Sequence, residues 1–99
     1  MEMKNDGPEK SREAAEMLAI EALGFIAGEP ESLSRFLALS GIGPATLRHA
    51  AADPAFLAGV LDFLLADEPL LIAFASHASV EPERIGRARR AFDGVVEEL

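Results

Sequence analysis

Each of the six prolines, Pro8, Pro30, Pro44, Pro54, Pro69 and Pro82, stands where an apolar-periodic run begins. Proline has no amide proton and a fixed φ, so the first turn of a helix is where it costs least. Six such starts in a 99-residue chain leave room for short helices and little else. Ala, Leu, Glu and Arg dominate, and the β-branched and aromatic alternation of strands is absent. The expected fold is therefore all-α: a compact bundle of five to six short helices over residues 9–27, 30–39, 44–51, 54–66, 69–77 and 82–92. A flexible tail is expected over 1–8 and a single helical domain over 9–99. There is no cysteine, so stability must come from packing alone.

Two helices show how that packing should run. In the first, Ala15, Leu18, Ala22, Phe25 and Ile26 make one stripe, with Glu13, Glu16 and Glu21 outside it. The fourth carries Phe56, Leu57, Val60, Leu61, Phe63, Leu64 and Leu65 and is apolar nearly all round, which places it centrally. Asp62 interrupts it and should lie on a narrow exposed seam or be held by an arginine. The run from Pro54 to Ala75 is not a membrane span, because Asp62, Asp67, Glu68 and Pro69 break it. With a charged N-terminus that lacks a signal-type apolar core, this predicts a cytoplasmic chain with no membrane partner.

The sequence also reads as if written twice. "LGFIAGEPESLSRFLALSGIGPATL" aligns with "LDFLLADEPLLIAFASHASVEPERI" at an offset of roughly 38 residues, with a one-residue slip near the first proline. Leu23 and Phe25 then match Leu61 and Phe63, and Phe36 matches Phe74. Ile42, Pro44 and Leu47 match Val80, Pro82 and Ile85. Chance similarity between Leu- and Ala-rich helices competes with this reading, but the aligned proline turns favour it. Two three-helix units, about 18–51 and 56–92, are expected to pack face to face.

The Gly41-Ile42-Gly43-Pro44 turn resembles a helix-hairpin-helix, in which glycines bring backbone amides to a phosphate. Ala45 stands where a basic residue would help and Leu47 where that family prefers a small one; only Arg48 is cationic nearby. The second copy replaces the glycines with Ser79 and Glu81, and a carboxylate there repels phosphate. A ligand-free account fits both copies. Gly43 and Glu81 are N-caps, Pro44 and Pro82 first helical residues, and Ile42 with Leu47 and Val80 with Ile85 hydrophobic staples. Gly41 ends the preceding helix in the left-handed region.

These residues resemble a small bacterial family, domain of unknown function 3572. "FLALSGIGPATLR" followed by "DPAFLAGVLDFLLADEPLLIAFA" carries the likeness, which spans roughly Ala15 to Ala91 through Gly-x-x-Pro, Asp-Pro and "DFLLADEPLL" elements in order. The resemblance implies a small helical protein and carries over no activity and no site residues.

Few chemical signals stand beside it. His49 and His77 have no metal-binding spacing, Ser76-His77 lacks a nucleophile elbow, and phosphate-loop and calcium-loop patterns are missing, so no catalytic residue, cofactor or metal is expected. Asp62, Asp67 and Glu68 read as capping groups, with a pocket shared with His77 as an enzyme-like alternative. The net charge of −8 weighs against nucleic acid, although Arg84, Arg87, Arg89 and Arg90 gather near the C-terminus. Phe25, Phe36, Phe56, Phe63, Phe74 and Phe92 are too many for a core this small to hide completely. The leading expectation is a non-enzymatic interaction module with an apolar groove between its units, open to a partner protein or a second copy. Phe36, Phe63, Phe74, Arg84, Arg87 and Arg90 are its candidate contacts. Nucleic-acid binding through Gly41 to Arg48 is the principal alternative.

Overall fold

The structure, a computed structural model, describes residues 8–93, with side chains from Ser11. Six helices follow in order: α1 (Pro8–Ala27), α2 (Pro30–Ser40), α3 (Leu47–Ala50), α4 (Pro54–Leu65), α5 (Glu68–Ala78) and α6 (Pro82–Ala91). A 3-10 turn, Pro44–Thr46, leads into α3. The protein is all-α. The tail expected over 1–8 lies outside the described residues except for Pro8, which opens α1.

Proline chemistry sets these starts. A residue before proline is pushed out of the α region, and Glu29, Gly43, Asp53 and Glu81 are all extended. Five prolines are first helical residues; Pro69 is second, because Asp67 caps α5 one residue earlier by accepting the Leu70 amide at 3.2 Å. Asp53 caps α4 in the same manner, accepting from Ala55 at 3.0 Å. Gly43 and Glu81 occupy N-cap positions without a side-chain bond.

Two helices stop in the left-handed region at equivalent places. Gly41 (φ 77°) ends α2, its amide donating to the Leu37 carbonyl at 2.9 Å. Ser79 (φ 59°) ends α5, and Val80 donates back to the Ala75 carbonyl at 2.9 Å. The two halves thus share their punctuation.

The likeness fades in the third helices. The helix expected over 44–51 is a 3-10 turn followed by four α-helical residues. The Gly43 carbonyl accepts both the Thr46 amide at 3.1 Å and the Thr46 hydroxyl at 3.0 Å, which tightens the turn. Asp53-Pro54 then stops the segment. Its counterpart α6 runs for 10 residues and lies along α1. The hub is consequently α1, which packs on α2, α4, α5 and α6.

One hydrophobic cluster holds the bundle together. Ile26, Val60, Leu61, Leu64, Phe74 and Ile85 are its largest fully enclosed side chains. Leu47 and Val80 pack against it with Ile85, whereas Ile42 is half-buried and outside that cluster, so the staple residues reach the core more fully in the second half. Enclosure of α4 is partial. Leu57, Val60, Leu61 and Leu64 face inward, but Gly59, Asp62 and Leu65 are exposed. That open side of α4 is where the candidate site lies.

Candidate interaction surfaces

Between α2 and α4 runs an apolar cleft of about 430 Å³. Its α4 wall is Ala55, Phe56, Gly59, Phe63 and Ala66, successive turns of one helical face, and its α2 wall is Phe36 and Leu39. Phe36 meets Phe56 and Phe63 edge to face, at centroid distances of 5.6 and 5.2 Å. This is the favoured aromatic geometry, and it fixes the floor. Leu39, 75% exposed, stands at the rim. A Cβ on Gly59 would meet no atom of the described residues within 4 Å, so none of them requires a glycine there. In mid-helix that glycine costs about 1 kcal/mol relative to alanine.

Two charged clamps frame the cleft. Arg35, on α2, lies over the Phe63 ring at 5.3 Å and donates to Asp67 Oδ2 at 2.8 Å. Asp67 thus joins α2 to the start of α5 while capping it. At the other rim Arg89 Nε donates to Asp62 Oδ1 at 2.8 Å and its Nη1 to Asp93 Oδ1 at 3.1 Å. The hydrogen bond to Asp62 is the main reason the Arg89 guanidinium is held above its ordinary pKa; Asp93 adds to it and partial burial opposes it. Asp62 is both exposed and held by an arginine, the two situations expected of it as alternatives.

The candidate contacts separate on this frame. Phe36 and Phe63 border the cleft, but Phe36 is 4% exposed and part of the core, so only half-buried Phe63 offers its ring to an incoming group. Phe74 does not: it is 0% exposed and packs against Phe25 at 5.6 Å, so it is a core residue and not a contact. Arg84 and Arg87 sit on α6 beside α1, away from the cleft, and line hollows with Ala14 and Leu18. Arg90 is exposed, with its Nη1 3.7 Å from the position a Cβ would take on Gly86. Arg35, Leu39 and Gly59 were not legible as site residues, because the pairing of α2 with α4 and α5 is tertiary.

The other chemical readings meet unfavourable geometry. His77 is exposed and stacks beside Phe25 at 5.1 Å, while Asp62 and Asp67 are engaged by arginines on separate helices. No group of three or more metal-ligating side chains occurs among the described residues. The Gly41 to Pro44 turn leads into a helix of only four residues, too short to develop a useful dipole at its start. Among the described residues no helix is long and apolar enough to cross a membrane.

Fold and cleft together define a small all-helical protein with an open aromatic groove between two of its helices. The chain belongs to the family described as Protein of unknown function (DUF3572), whose model matches residues 12–95. No curated protein and no solved structure matches it.

Proposed function

We propose that this protein is a cytoplasmic, non-catalytic interaction module whose α2–α4 cleft receives the apolar face of a helix from a partner protein. Gly59 carries the reading. A glycine in the middle of α4, needed by none of the described residues, lowers the α4 wall of the cleft where an incoming helix must approach closely. Around it are aromatic rings for apolar anchors and Leu39 to close over them. The Arg35–Asp67 and Arg89–Asp62 pairs keep both walls in place and supply a polar rim.

A photo-crosslinking residue in place of Leu39 tests this in cells, with the same residue at exposed Glu83 on α6 as control. The expected result is a discrete adduct from position 39, absent from position 83 and lost when Gly59→Met raises that wall. Equal labelling from both positions, or an adduct indifferent to Gly59→Met, overturns the assignment.

A further inference from the structure

The α2–α4 cleft is apolar inside but not neutral at its edges. Asp62 is the one ionisable side chain among those lining it, and it stands a single turn beyond Gly59 on the same face of α4. Its Oδ1 accepts from Arg89, whereas Oδ2 has no hydrogen bond among the described residues. Arg89 is shared. Asp93 accepts from the same guanidinium, so two carboxylates divide one positive charge. At the other rim Arg35 is balanced by Asp67, and exposed Glu68 follows with no ion pair among the described residues. Both rims thus carry more negative than positive charge.

That excess decides what kind of helix fits. A helix laid over Gly59 covers Asp62 as well, and takes water from Oδ2. Stripping water from a carboxylate is costly unless a donor, best a cation, replaces it. A lysine or arginine one turn from the apolar row does so, its hydrocarbon stem lying on the cleft wall while its charged end reaches the carboxylate. A glutamate or aspartate in that place meets Asp62 and Asp93 as like charges. The chain's net charge of −8 draws basic segments from a distance for the same reason.

We infer that the occupant of the cleft is a basic amphipathic helix of a different protein, with a lysine or arginine set against Asp62. This rests on the cleft being a groove for a helix. A second copy of the chain has nothing suitable to offer. Its Arg84, Arg87 and Arg90 lie on α6, whose apolar Ile85 and Ala88 are buried. The exposed apolar row of α1, Met17, Ile20, Gly24 and Ala27, has Glu13 and Glu21 one turn to either side of Met17, and those carboxylates are repelled at the cleft.

A displayed library of model helices tests it, with a fixed leucine row and flanking positions free to be Lys, Glu or Gln. The library is selected on the full chain and, in parallel, on Gly59→Met, with circular dichroism to confirm that each variant stays helical. Clones that depend on Gly59 are expected to carry Lys over Glu beside the leucine row by at least about fivefold. The bias shrinks with added salt and on Asp62→Asn, and turns toward Glu on Asp62→Lys. Gly59-dependent clones without a Lys preference, or a preference unmoved by Asp62→Lys, overturn the inference and leave the cleft as a helix groove. If no clone depends on Gly59, the groove itself falls, and the inference with it.

Discussion

Asp67 divides its carboxylate between two helices, one oxygen accepting the Leu70 amide at 3.2 Å and the other the Arg35 guanidinium at 2.8 Å. The two roles separate by mutation. Asp67→Ala removes an N-cap, worth about 1 kcal/mol, and a partly exposed ion pair worth no more than about that. Thermal unfolding followed by circular dichroism should show a fall of about 5–10 °C. Asp67→Asn keeps a capping oxygen and should lose less than half as much. Equal losses from both variants would refute the division of labour.

The open positions beside Gly24 and Gly59 make a prediction of opposite sign. Both glycines are exposed in helix interiors with room for a methyl group, so Gly24→Ala and Gly59→Ala should each raise the unfolding free energy by about 1 kcal/mol in urea titrations. Together they should add, because they lie on different helices. If Gly59 serves an approaching helix, the stabilised Gly59→Ala variant binds it more weakly than the wild type.

Left-handed backbone gives a matched pair. Gly41→Ala forces a Cβ into a conformation that costs an L-residue roughly 1–2 kcal/mol, and should lower stability by about that amount. Ser79 already bears such a cost, so Ser79→Gly should be neutral to stabilising by about 0.5 kcal/mol, the greater chain entropy of glycine offsetting part of the relief. Denaturant midpoints with unchanged slopes are the measurement.

Phe74 should behave as core. Its truncation to alanine costs about 3–5 kcal/mol, a large share of the roughly 5–15 kcal/mol available to a domain of this size. The variant is expected to lose its sharp thermal transition, whereas half-buried Phe56→Ala keeps one.

The Gly41 to Arg48 turn should not grip phosphate. Titration with duplex and single-stranded DNA at low salt is expected to give no saturable binding; a site that weakens steeply with added salt would restore the helix-hairpin-helix reading.

How much of this is legible in the sequence follows from the range of each interaction. Helix starts are, because a proline and the extended residue before it act locally, as at Glu29-Pro30 and Asp53-Pro54. So is the left-handed stop at Gly41. The third helix differs in kind from its expectation, since Thr46 turns its hydroxyl back to the Gly43 carbonyl and draws the turn into 3-10 form. Periodicity identifies one apolar stripe on α1 but does not reveal that Met17, Ile20, Gly24 and Ala27 make another. The Arg35–Asp67 and Arg89–Asp62 pairs join residues 32 and 27 positions apart, so only the assembled bundle reveals them. For the same reason Phe36 and Phe74, aligned when the sequence is read as two copies and both buried, differ in surroundings: Phe36 lies under the cleft and Phe74 does not border it.

The helices α1 and α6 lie side by side, and buried Leu18 of α1 borders a hollow together with Ala88 and Ala91 of α6. During synthesis, then, α1 leaves the ribosome well before α6, and the side of its stripe that α6 shields stays open in the interval, even after α2, α4 and α5 have packed on the rest. Closure is a late event set by translation time, and a nascent chain stalled before Ile85 presents chaperones with the side of the stripe that α6 hides in the finished protein.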